Sequence, residues 1–264
     1  MRRGTLMLVA AAVVMLGIAL PAIGCGNSTA VTGSGDLVTK DYDFKDFTRL
    51  DVDHDFEVEV MRGDAYEVTV TVDDNLVDSL EVALKGDTLR INLDGGPYKN
   101  TTQRATVTLP KLAAVAVSGS SEASVEGFNS SENLELVASG ASSLVLTNVR
   151  AGDARFDVSG ASDATGAVEL GDVSMDASGA STVELKGSGA AASLDASGAS
   201  HLRLEDFALA SAEVTLSGAS DATLDVAGAL DIDLSGASTL SYSGNPQLGK
   251  IETGGGSEIN HIEQ

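Results

Sequence analysis

From residue 111 onward, apolar residues alternate with polar ones in short runs that break at a Ser-Gly pair and then resume. The glycines of these pairs are Gly119, Gly140, Gly160, Gly179, Gly198, Gly218 and Gly236, with a degenerate last copy at Gly255, and successive spacings are 21, 20, 19, 19, 20, 18 and 19. Four residues before the glycine stand Val115, Leu136, Phe156, Met175, Leu194, Val214, Ile232 and Ile251. Two before it stand Val117, Ala138, Val158, Ala177, Ala196, Leu216, Leu234 and Thr253, so the period is two, that of a strand with one buried face. Apolar positions resume four residues after the glycine, at Ala123, Leu144, Ala164, Val183, Leu202, Ala222, Leu240 and Ile259. A second strand therefore follows each SGAS corner. Helical spacing fits none of these columns.

A period near twenty held over eight copies predicts an all-β solenoid, a parallel β-helix of about 19–20 residues per coil. Each coil pairs with the next at about 4.8 Å, so eight coils make a rod of about 38 Å. Two positions past each glycine comes a serine: Ser121, Ser142, Ser162, Ser181, Ser200, Ser220, Ser238 and Ser257. Stacked serines are expected to satisfy one another and the free backbone groups of the corner, because an unpaired buried polar group costs about 1–3 kcal/mol. They are read as a structural ladder, not as nucleophiles, since a catalytic serine needs a base in reach and the chain has three histidines in all.

Before residue 111 the period loosens while alternation continues, at 50–60, 68–72 and 89–93, with turn signals at Arg62-Gly63-Asp64, Lys85-Gly86-Asp87 and Asp94-Gly95-Gly96-Pro97. Residues 41–110 are expected to form irregular opening coils or a capping sheet of the same stack, with a separate domain as the alternative. Residues 111–264 are the regular repeat.

The first 24 residues read as a leader: Arg2 and Arg3, an apolar run from Leu6 to Leu20, then Pro21. The following Ala22-Ile23-Gly24-Cys25 resembles a bacterial lipoprotein signal, which makes Cys25 the expected lipidated first residue of the mature chain. No other cysteine is present, so no intramolecular disulfide forms. Residues 25–40 are expected to be the lipidated cysteine and a tether, of which Gly26–Gly35, GNSTAVTGSG, has the composition of a flexible linker. Gly26 in place of an aspartate resembles the outer-membrane sorting signal of two-membrane cells.

Charge narrows the partners. The chain carries a net −23, and loss of the leader removes two arginines and no acid, leaving about −25. Nucleic acid is excluded as a partner, since phosphate contacts need clustered Lys and Arg. The expected partners are a membrane, through the lipid, and a glycan or protein ligand.

The chain also resembles a known family, the bacterial putative auto-transporter adhesins called head GIN domain proteins. The resemblance is carried by FTRLDV at 47–52, MRGDAYEVTV at 61–70, GDTLRI at 86–91, VTLPKLAAVAVSGSS at 107–121 and GGGSEI at 254–259, and covers about residues 44–262. It implies a right-handed β-helix at the cell surface or in the periplasm, commonly behind a lipoprotein signal, with no catalytic residues to carry over.

Three groups of residues carry side chains suited to chemistry. Asp157, Asp176, Asp195 and Asp233 precede their glycines by three residues and form an acidic column, a solvated face or a candidate Ca²⁺ site. Asp163 and Asp221 follow their corners at equivalent positions, with His201 at the same position in another coil, the raw material of a polysaccharide-cleaving site. His54 and His261 pair with no evident ligand set. The expectation is a lipid-anchored, non-catalytic binding or scaffold module of the outer membrane or cell surface, with no cofactor; a polysaccharide-acting enzyme and a periplasmic signalling component are the alternatives.

Overall fold

A computed structural model of the chain describes residues 30–263. The leader and Cys25 lie outside the described residues. The fold is nearly all-β, a β-solenoid of about seven turns, and among the described residues the single helical element is the 3-10 turn Asp74–Leu76.

Each coil has an entry strand leading into the Ser-Gly corner and an exit strand leaving it. The entry strands stack in parallel and in register, so Val115, Leu136, Phe156, Met175, Leu194, Val214, Ile232 and Ile251 form one continuous column. The exit strands do the same, aligning Ala123, Leu144, Ala164, Val183, Leu202, Ala222, Leu240 and Ile259. Two facing columns of Val, Leu, Ala and Ile thus fill a thin core. A slip of one residue in any coil would turn that coil's apolar set outward, which is why the sequence alternation specifies the register.

A third row closes the core on the return path. Phe128, Val149, Val168, Phe207 and Val226 are buried there. The paired segments Thr182–Ala196 and His201–Leu216 run through this return without a break in strand structure. Register shifts between Leu146 and Val149, Glu184 and Lys186, and Leu204 and Ala208 all fall on the return side. Most of the variation in repeat length is absorbed there as bulges, one further shift falls between Leu230 and Ile232 on the last pair of entry strands, and the SGAS corners stay aligned.

Those corners are held by glycine for two reasons at once. Gly160 and Gly179 have φ of +79° and +80°, and a Cβ on Gly179 would sit 2.4 Å from the carbonyl oxygen of Gly160. A side chain would be strained by its own backbone and would strike the coil below.

The segment 41–110 continues both faces. Arg49–Val52 and Glu57–Arg62 pair in parallel with Ala114–Val117 and Glu122–Glu126, forming an opening coil in which Asp53–Phe56 replaces the SGAS corner. Thr88–Leu93 and Gln103–Leu109 pair in parallel beneath them. The direction then reverses: Leu80–Lys85, Glu67–Asp73 and Leu37–Tyr42 add as antiparallel strands. Phe47 and Leu76, both fully buried, plug this end.

Residues 31–35 are not free linker. Val31–Thr32 pairs in parallel with Tyr98–Lys99. The buried carboxylate of Asp73 accepts the N–H of Gly35 at 2.7 Å and of Thr102 at 2.6 Å. A buried carboxylate must be hydrogen-bonded, and Asp73 meets that demand by drawing the small polar segment onto the body. The tether reading of 25–40 is corrected from Val31 onward.

Candidate binding groove

Where the return path meets the entry strands, a groove of about 880 Å³ runs along the rod. Its floor is the position four residues before the end of each entry segment, Leu134, Ala154, Val173, Ala192 and Ala212, in register one per coil and 3–5% exposed. Their side chains face the core with those of the entry columns, so the backbone at these positions forms the bottom of the trough and the flanking outward residues form its walls. At about 4.8 Å per coil the floor spans roughly 19 Å.

One wall is an Asx ladder. The Asn133 side-chain oxygen accepts the N–H of Asp153, Asp153 accepts that of Asp172, and Asp172 accepts that of Ala191, each at 3.1 Å. Each side chain serves the coil above, replacing the strand pairing that the bend interrupts. At Ala191 and Ser211 the ladder ends and the wall drops.

The other wall changes character along the rod. It begins with Arg49, paired to Glu135 at 2.5 Å, and Arg155; continues with Ser174 and Ser193; and ends with Glu213 and Asp231. The groove therefore presents the guanidiniums of Arg49 and Arg155 with the Glu135 carboxylate at one end, hydroxyls in the middle and carboxylates alone at the other. An extended polar ligand would meet a distinguishable group at nearly every coil.

The residues selected from sequence lie elsewhere. Ser121 to Ser238 are buried in the corners at 0–2% exposure. Ser142, Ser181, Ser200 and Ser220 donate to the carbonyl three residues earlier, at 2.8–2.9 Å, as do Ser238 at 2.5 Å and Ser257 at 2.6 Å. Ser121 and Ser162 accept the N–H of Phe56 and of Ser142 from adjoining coils, both at 3.2 Å. Their hydroxyls serve backbone groups of the corners, and among the described residues no hydroxyl-to-hydroxyl bond joins the stack.

Asp157, Asp176 and Asp195 do stack one per coil, Thr215 interrupts the column, and Asp233 resumes it. Among the described residues no group of three or more His, Cys, Asp or Glu side chains is arranged to hold a metal ion. The acids form a line along the rod, whereas Ca²⁺ needs six to eight converging oxygens. Asp163, Thr182, His201 and Asp221 occupy one column, and His201 Nδ1 lies 3.3 Å from Asp221. Asp163 and Asp221 are thus three coils apart, about 14 Å, beyond the roughly 5–9.5 Å of a glycosidase carboxylate pair. His54 sits in the opening corner beside Asp53, and His261 stacks on Tyr242 with its ring nitrogen 2.9 Å from the Gly244 carbonyl. They mark opposite ends of the molecule.

The groove itself was not legible from the columns, because Ala192 and Ala212 look like ordinary alternation. The alignment of their register with Asn133, Asp153 and Asp172 one position earlier was the available signal.

Comparison with known proteins places this arrangement. The profile of the family described as putative auto-transporter adhesin, head GIN domain, matches residues 46–246. No curated protein matches the chain in sequence. A putative adhesin from Parabacteroides merdae superposes with a TM-score of 0.81 at 18% identity, over 88% of this chain and 98% of that one. A putative lipid binding protein from Parabacteroides distasonis gives 0.79 at 20% identity, over 88% and 99%. A putative adhesin from the same organism gives 0.79 at 22%, over 88% and 99%. At these identities the likeness shows a common fold.

Proposed function

Since the chain belongs to the putative auto-transporter adhesin, head GIN domain family, we propose that it is a non-catalytic binding module of the cell envelope, lipid-anchored through Cys25, whose groove takes an extended glycan. Family membership supports the envelope location. The lipoprotein-like Ala22-Ile23-Gly24-Cys25 supports the anchor, and Gly26 supports the outer membrane.

The observation that carries the ligand class is the groove wall, graded from guanidiniums with a carboxylate through hydroxyls to carboxylates alone. Its polar groups recur at coil spacing and suit a chain of sugar hydroxyls. A peptide would be recognised chiefly by adding to a strand edge, and the groove lies over strands already paired on both sides. Contacts of this kind are individually weak, so many anchored copies on one surface would act through avidity.

The test is binding of the protein to a panel of envelope and host polysaccharides, with Ala191→Trp as the variant. Ala191 is exposed on the groove wall, so tryptophan there blocks the trough without entering the core. Loss of glycan binding at an unchanged melting temperature is expected. Binding that survives the substitution places the ligand off the groove and overturns the assignment.

A further inference from the structure

The two ends of the solenoid are finished differently. The first end is closed by antiparallel strands and by Phe47 and Leu76. At the other end Gln247–Thr253 pairs with Ala229–Leu234 and Glu258–His261 with Thr239–Ser243, and among the described residues no strand covers either outer edge. The core columns nonetheless run on into this last coil. Leu248 continues Leu230, Ile251 continues Ile232, and Ile259 continues Leu240. The preceding members are 0–2% exposed, whereas Leu248 and Ile251 are 43% and 47% exposed. With Ile262, this end holds three of the six exposed large apolar side chains among the described residues.

We propose that this open end binds a second copy of the chain about a two-fold axis, with Gln247–Thr253 antiparallel to its counterpart and centred on Ile251. The charges choose this occupant and this register. Lys250 and Glu252 share the outward face and bridge each other at 3.0 Å. In an antiparallel pair centred on Ile251, Lys250 of each copy lies opposite Glu252 of the other, so four charges alternate in sign. Moving the centre by one residue either way sets Lys250 against Lys250 or Glu252 against Glu252. Moving it by half a residue sets core-facing side chains against outward ones.

The backbone agrees. The Gly254 N–H is spent on the Leu234 carbonyl at 2.8 Å. By alternation along the strand, the N–H and C=O of Ile251 then point out of the last coil. Two copies meeting there exchange both hydrogen bonds at the central pair, as antiparallel partners do at alternate positions. A lysine on an edge strand ordinarily discourages pairing; with Glu252 two residues on, it discourages the registers centred one residue to either side of Ile251. This surface adjoins the groove, whose last wall residue, Asp231, accepts the Lys250 N–H at 2.5 Å; the charge exchanges at 250 and 252 leave that backbone contact in place.

The experiment is light scattering of the full chain in mild detergent over a concentration series, on wild type, Lys250→Glu, Glu252→Lys and the double exchange. Wild type is expected to reach a dimer mass. Each single change sets like charges opposite at both symmetric contacts and should weaken the dimer about tenfold or more. The double exchange restores alternating signs and should restore the dimer. Melting temperatures of the variants should match wild type, because these side chains are exposed. A monomer at every concentration, single changes without effect, a double exchange that fails to rescue, or a mass growing past the dimer each overturns the proposal; the last would mean head-to-tail stacking, which does not close.

Discussion

Replacing Gly179 by alanine tests the corner stack. At φ +80° an L-residue costs about 1–2 kcal/mol. The added Cβ would also lie 2.4 Å from the Gly160 carbonyl oxygen, which accepts the Ala180 N–H at 2.8 Å. Relieving that contact must lengthen a hydrogen bond worth about 0.5–1.5 kcal/mol and disturb the coil above. The total is about 1.5–3.5 kcal/mol. Gly86 supplies the control: its φ is +65°, and a Cβ there meets nothing within 4 Å. Gly86→Ala carries only the conformational cost, about 1–2 kcal/mol. Urea unfolding followed by far-UV circular dichroism should show a clearly larger midpoint shift for Gly179→Ala than for Gly86→Ala. Repeat arrays can depart from two-state unfolding, so midpoints at equal slope are the comparison to make. Equal shifts would refute the idea that coil-on-coil contact, beyond backbone angle, demands glycine in the corner.

Ser200→Ala should cost about 1 kcal/mol, because it leaves the Ser197 carbonyl without the 2.8 Å bond of a fully buried hydroxyl; an unchanged urea midpoint would show that the serine column is dispensable. Phe207→Ala opens a cavity in the return row and should cost about 3–5 kcal/mol, with a loss below 1 kcal/mol contradicting a packed third side. Adding NaCl should raise the melting temperature by screening the stacked carboxylates of Asp157, Asp176 and Asp195, whereas chelator should leave it unchanged; a chelator-induced drop would reveal a resident divalent cation. Cys25→Ser should shift the protein from membrane to soluble fractions, and a protease site inserted at residues 33–35, held by Asp73, should resist cleavage; ready cutting there would mean the docked segment opens freely.

The sequence carried the repeating core well because one physical demand, a buried face every second residue, is imposed identically on every coil. Val115 to Ile251 could be aligned from the glycines alone. The opening coil was harder to see because its corner uses no glycine: His54 and Asp55 adopt φ of 66° and 58° themselves. The antiparallel finish at Leu80–Lys85 and Leu37–Tyr42 was hidden for a different reason, since alternation reports which face is buried and says nothing about partner direction. Phe128, Val149 and Phe207 escaped the columns because bulges move the return row out of phase with the glycines. The groove depends on this same row. Its floor is defined by where two faces diverge, a property of the assembled coil and of no single strand.

The hydrogen bonds between coils run along the rod, so the stack has a grain. A load applied between the opening coil and the last coil would pull along that grain and strip coils one at a time from the end whose outer edges no strand covers among the described residues. Each coil holds 18–21 residues between glycines, and at about 3.5 Å per extended residue each release would yield roughly 63–74 Å of chain. The same stacking that makes the fold thin and regular would thus make it extensible in equal steps, a molecular shock absorber that lengthens before it lets go.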